Sequence, residues 1–215
     1  MKISKKRNNS IWFKFLLFVP LLVIFTYLLS LYPAVGNLSA TLREPVSLKT
    51  FVDDLIPFNI YFLIPYLLWL LFPISGIILV FYRKISSIQL ISLYFAQILL
   101  LFSCYIIYLI FPTTATSVMH PSLEFFYKTS VPYNAFPSYH VAAMVFLSFF
   151  LYKNWRTLFW ISLPITILAS IATVFIKFHF FVDIPGGIAM GIFGYYILYE
   201  KVALRYMNRF LVSGK

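Results

Sequence analysis

"SIQLISLYFAQILLLFSCYIIYLIF", residues 87 to 111, runs for 25 residues without a charged side chain. A helix needs about 20 apolar residues to cross the hydrocarbon core of a bilayer, and this stretch meets that length. Its apolar residues are continuous rather than alternating, which argues against a barrel strand. Cys104 lies inside the run and is the only cysteine, so neither an intrachain disulfide nor a zinc cluster is available. It reads as small packing material.

Five more runs of this kind flank it, at 11–32, 58–82, 138–152, 157–176 and 183–200. The chain is 62% hydrophobic and 11% charged, with mean hydropathy +0.91. A soluble domain is usually under half apolar and about a quarter charged. The expected fold is therefore all-α, with six transmembrane helices in one bundle and a single membrane domain over residues 1–215. The first run follows a basic start, "MKISKKRNNS", but it exceeds the ~7–15 residues of a signal core and reads as a retained span. Lys153 and Arg156 close the short fourth run. Pro65, Pro73 and Pro164 fall inside runs and are expected to kink them. Gly187, Gly191 and Gly194 put small residues on the last run, where a neighbouring helix can approach.

Charge sets the orientation. With the N-terminus inside, 13 of the 17 Lys and Arg residues fall on the cytoplasmic side, and only Arg43, Lys49, Lys128 and Lys177 fall outside. That is the asymmetry of the positive-inside rule, and it puts both termini in the cytoplasm. The net charge of +11 is thus a topological signal, spread over helix ends, and does not point to nucleic acid. All three histidines then lie on the outer side.

Two stretches there carry chemistry. In "NAFPSYHVAAM" (134–144), Ser138 after Pro137 is placed to cap a helix, and a helix start offers free N–H groups to an anion. His140 stands in that first turn. In "KFHFFVDIPGG" (177–187), His179 and Asp183 are four residues apart, and on continuous helix they share a face. A carboxylate that holds one imidazole nitrogen as N–H leaves the other as a nucleophile or base. Asp183 is also positioned to cap the last helix. Lys177 can hold phosphate as a point charge or snorkel to the interface. Lys128 and His120 read as loop residues that can reach a substrate, and Asp53 with Asp54 as a helix start or solvated loop. Together the histidines, the aspartate and the helix start suit phosphoryl transfer, which rests on positioning and charge stabilisation. No cofactor or metal is implied, because carboxylates are few.

"FPSYH" (136–140) followed by "TVFIKFHFFVDIPGG" (173–187) resembles the phosphatidic-acid phosphatase type 2 superfamily, whose six-helix membrane members share a Pro-Ser-x-His block and a later His-x-x-x-Asp block. "NAFPSYH", "KFHFFVD" and "FPTTAT" (111–116) look closest to its inositol phosphorylceramide synthase-like branch. The motifs cover residues 111–191. The resemblance implies His179 as the nucleophile of a phosphohistidine intermediate, Asp183 as its orienter and His140 as general acid. It further implies phosphate binding by Ser138, Tyr139 and Lys177. The family's Lys/Arg-Pro block is missing, Ser117 stands where an arginine is expected, and Ala172–Thr173 replaces Ser-Arg. Lys177, Lys128 and His120 are the candidates to take over that charge. The implied protein is a multi-pass membrane phosphatase in the plasma membrane. It acts extracytoplasmically on an amphiphilic lipid phosphate or pyrophosphate ester among membrane lipids. Headgroup phosphotransfer at the same His-His-Asp site is the alternative, and a non-catalytic lipid-binding homologue the third reading.

Overall fold

Residues 11–82, 85–114, 121–124 and 133–212 are described by a computed structural model, and they are mostly helical. Helices occupy each of the six apolar runs. The first run gives α1 (Ile11–Ser30) and, after a break at Leu31, α2 (Tyr32–Leu42). Pro33 explains the break, because it has no N–H to continue the ladder. The carbonyl of Leu28 is taken up by the Tyr105 hydroxyl at 2.7 Å. α2 carries helix ten residues beyond the first apolar run, which ends at Tyr32.

A two-residue strand, β1 (Val46–Ser47), and the short α3 (Phe51–Leu55) follow. The second run is irregular. A 3₁₀ turn at Ile60–Phe62, α4 (Leu63–Leu67), a second 3₁₀ turn at Leu68–Leu70 and α5 (Leu71–Phe81) succeed one another. Pro65 within it is consistent with the kink expected from sequence. α6 (Ser87–Ile110) is an unbroken helix of 24 residues, started by a Ser86/Gln89 capping box. After β2 (Thr113–Thr114) come α7 (Tyr139–Asn154) and α8 (Arg156–Phe175). α9 (Asp183–Phe193) continues through a π-helical stretch, Gly194–Ala203, into α10 (Leu204–Val212).

Three of these helical segments, Lys14–Leu42, Ser87–Ile110 and Arg156–Phe175, are long and apolar enough to cross a membrane. The apolar side chains are divided accordingly. Leu90, Leu100, Leu101, Phe146 and Phe150 fill the core, whereas Trp12, Leu16, Val23, Ile106, Trp160 and Ile161 are exposed on the outside. So much outward-facing apolar surface marks a bundle whose solvent is lipid.

The glycines of the last helix act as the sequence suggests. A Cβ at Gly187 would lie 2.6 Å from the Ser138 carbonyl oxygen, and one at Gly191 would lie 2.7 Å from that of Ala142. Only glycine lets α9 come this close to α7.

The two ends of the bundle differ. At one end the buried Lys14 ammonium donates to the Tyr82 carbonyl at 3.1 Å, Tyr82 stacks on Trp155 at 3.8 Å, and Gln89 bonds Asn154 at 3.0 Å. At the other end the connections are tied together. β1 pairs with β2 in parallel, Val46 opposite Thr113, and Thr113 bridges on to Asn134. That second end carries His140 and His179.

Candidate active site

The loop into α7 is fixed on both sides before it reaches Ser138. The Tyr32 hydroxyl donates to the Asn134 carbonyl at 2.7 Å, and the Asn134 amide returns a bond to the Tyr32 carbonyl at 3.0 Å. The Phe136 N–H donates to Thr113 Oγ1 at 2.8 Å, which gives Thr113 a structural task. The Tyr108 hydroxyl holds the Pro137 carbonyl at 2.8 Å, and the Ser138 N–H donates to the Asp183 carbonyl at 3.2 Å.

Ser138 occupies the N-cap position of α7, as its sequence context suggests, yet its side chain makes no capping bond. The hydroxyl lies 3.2 Å from His179 Nε2 instead. The first-turn amides of α7 keep their N–H groups without intrahelical acceptors, as at any helix start, so the anion-binding character of that end is retained.

The segment between α8 and α9 presents His179. It is a turn, not continuous helix, and α8 closes in a Schellman arrangement. Lys177 N–H donates to the Val174 carbonyl at 3.1 Å and Phe178 N–H to the Thr173 carbonyl at 3.0 Å, with Lys177 at φ 62° in the left-handed position. His179 Nδ1 meets Asp183 Oδ2 at 3.0 Å, and the same oxygen accepts the Phe180 N–H at 2.9 Å. Asp183 therefore serves the histidine rather than capping its own helix. Both are buried, Asp183 completely. A proton on Nδ1 held by the carboxylate leaves Nε2 with its lone pair facing Ser138 and His140.

His140 Nδ1 lies 3.5 Å from His179 Nε2, so the two imidazoles meet as the sequence reading requires. On its other side, His140 Nε2 is 3.3 Å from the Tyr66 hydroxyl, and Trp69 meets its ring edge-on at a centroid distance of 4.7 Å. A cavity of about 330 Å³ opens here, lined by Leu29, Tyr32, Tyr66, Trp69, Tyr139 and His140 among others. Its lining is aromatic and aliphatic, the character of a pocket for an apolar group.

The remaining expected residues fare differently. Tyr139 gives its buried ring to the pocket wall, its hydroxyl is without a hydrogen-bond partner among the described residues, and its amide belongs to the first turn of α7. Lys177 does not extend to the imidazoles. Its ammonium donates to the Asp53 carbonyl at 2.9 Å and also to the Ile56 carbonyl. Two backbone oxygens hold its charge, and in this structure it straps the His179 turn to the 53–56 segment. Lys128 and His120 lie outside the described residues. Among the described residues, no group of three or more His, Cys, Asp and Glu side chains is gathered as a metal site.

Asp53 is the residue the sequence undervalued. It does start a helix, with Thr50 and Asp53 forming a capping box. But it is buried, and its Oδ1 accepts the Phe181 N–H at 2.6 Å. Together with the Lys177 bonds, this grips the His179 turn on both sides from a segment more than 120 residues away. Tyr66, Trp69 and Tyr32 carry no signal in the sequence, since an aromatic residue in an apolar run looks the same whether it faces lipid or a histidine.

A family model described as the PAP2 superfamily matches residues 41–197. No curated protein and no solved structure matches the chain.

Proposed function

This chain belongs to the PAP2 superfamily, and from that premise we propose that it is an integral membrane phosphatase that cleaves lipid phosphate or pyrophosphate esters through a phosphohistidine intermediate. The observation that carries the proposal is the continuous network Asp183–His179–His140, buried at Asp183 and His179, with Ser138 at the helix start beside it. His179 Nε2 attacks phosphorus, and Asp183 keeps Nδ1 protonated and the ring aimed. The ester oxygen leaves with a proton from His140. Water then attacks the phosphohistidine, returning a proton to His140 and the phosphoryl group to solution. The Ser138 hydroxyl and the first-turn amides of α7 donate to the phosphoryl oxygens.

In this reading the bundle crosses the membrane six times with both termini in the cytoplasm, and the histidine end faces outward, in the simplest case from the plasma membrane. The charge distribution supports it, and so does the placing of Lys153 and Arg156 at the opposite end of α7 from His140. Incubation of the purified chain with a ³²P-labelled lipid monophosphate tests the chemistry. Hydrolysis gives free phosphate and an acid-labile labelled enzyme, and His179→Ala abolishes both. Label recovered in a second lipid identifies headgroup transfer at the same site. Equal turnover by His179→Ala overturns the nucleophile assignment.

A further inference from the structure

His140 is held by partners on both ring nitrogens, and they are of different kinds. Nδ1 faces His179 Nε2, the nucleophile of the proposed reaction, at 3.5 Å. Nε2 faces the Tyr66 hydroxyl at 3.3 Å. Tyr66 is itself fixed: it is buried, and its ring meets Phe178 edge-to-face at a centroid distance of 5.2 Å. Trp69 and Tyr32 meet the His140 ring edge-on and restrict its rotation. Among the described residues these ring neighbours carry no formal charge, and the Tyr66 oxygen is placed to accept a hydrogen carried on Nε2.

We propose that Tyr66 is a positioning residue that fixes the tautomer of His140, so that Nδ1 alone exchanges the catalytic proton. The proposal rests on the reading of His140 as acid and base given above. In the first step His179 Nε2 forms a bond to phosphorus, and the phosphorus–oxygen ester bond breaks. Its electron pair goes to the leaving oxygen, which takes the proton of His140 Nδ1. His140 is then neutral, with its remaining hydrogen on Nε2 donated to the Tyr66 oxygen. In the second step a water loses a proton to Nδ1 as it attacks phosphorus, and the electron pair of the phosphorus–nitrogen bond returns to His179. The Nε2–H stays on Tyr66 throughout, which prevents the unproductive tautomer in which Nδ1 has no free pair for the water's proton.

Tyr66→Phe tests this, because it keeps the ring packing on Phe178 and removes only the hydroxyl. The full chain is assayed with two probes, dodecyl phosphate, whose alkoxide must be protonated to leave, and 4-nitrophenyl phosphate, whose phenolate leaves without a proton. General acid–base assistance is worth about 10²–10⁴-fold, and a partly misplaced proton is expected to forfeit about 10- to 100-fold of it. That loss is expected in kcat for dodecyl phosphate, with KM nearly unchanged. With 4-nitrophenyl phosphate the pre-steady-state burst of nitrophenolate keeps the parental rate, and only the later turnover slows, as water activation still needs His140. The retained burst also certifies that the variant is folded. A variant that loses both burst and turnover alike, or that loses neither, overturns the role of Tyr66. A parent that forms no phosphoenzyme, or His179→Ala that still gives the burst, overturns the phosphohistidine reading itself and this inference with it.

Discussion

Lys177 shows what one side chain can do to a site it does not enter. It takes the left-handed backbone position that ends α8, with φ 62°, a place usually given to glycine. The cost of that conformation is offset by the ammonium, which binds two carbonyls of the 53–56 segment, while Asp53 Oδ1 accepts the Phe181 N–H on the far side of His179. The two residues thus act as one clamp on the histidine turn. Asp53→Asn exchanges a charge-assisted acceptor for a weaker one in a buried place, and a stability loss of about 1–3 kcal/mol is expected. Lys177→Met removes the other jaw. Because the turn is shared, the double variant is expected to lose less than the sum of the single losses in kcat, by about 0.5–3 kcal/mol of coupling. A thermal melt and a kcat–KM comparison of the two single variants and the double variant check this. If Lys177 instead bound phosphate, Lys177→Met would raise KM independently of Asp53. The same residues show what the sequence could reveal. His140, His179, Asp183 and Ser138 were legible, since each stands in a short motif whose spacing has a local meaning. The clamp was not, because Asp53 and Lys177 are separated by over 120 residues, and Tyr66 is one of 16 tyrosines in a chain where aromatics are common.

At the scale of elements, the site depends on how near α9 lies to α7. The Ser138 carbonyl sits 2.6 Å from where a Cβ on Gly187 would be, and Val141 Cβ is 2.7 Å from it. Both neighbours are backbone or β-branched, so neither yields by a rotamer change. Gly187→Ala must move the start of α7 against the start of α9, and Ser138 N–H is bonded to the Asp183 carbonyl across that seam. Overpacking of this kind costs about 1–3 kcal/mol, and a displacement of Ser138 and His140 relative to His179 costs activity out of proportion to it. The expected result is a folded protein with a lowered melting temperature and kcat reduced by about tenfold or more. A melt alongside turnover measures both, and a Gly187→Ala variant with parental kcat would show that the seam does not position the histidines. The small-residue pattern of the last run was readable from sequence as a close-approach surface. The break after Ser30 and the alternation of 3₁₀ and α turns over 60–81 were not, because apolar composition sets that a segment is buried in lipid or protein but not its helical register. That break matters, since Leu29 and Tyr32 line the cavity beside His140.

At the scale of the molecule, the proposed orientation follows from placing two unlike ends in one membrane. The histidine end is tied by backbone pairing between β1 and β2 and by side-chain bonds to the loop that enters α7. The other end presents Lys153, Arg156, Lys201 and Arg205, the residues that a positive-inside orientation holds in the cytoplasm. Glu44, between α2 and β1, and Lys153, at the end of α7, are both exposed and so report on opposite faces. Single cysteines at these positions are expected to be labelled differently by a membrane-impermeant maleimide applied to intact cells, with Glu44→Cys reacting and Lys153→Cys reacting only after permeabilisation. The native Cys104 is fully buried and gives little background. The opposite pattern would place the histidines on the cytoplasmic side and make the substrate an inner-leaflet phosphate, leaving the chemistry of His179 unaltered. Labelling at both positions in intact cells would mean that the two ends share one face, and the six-span reading would fall with it.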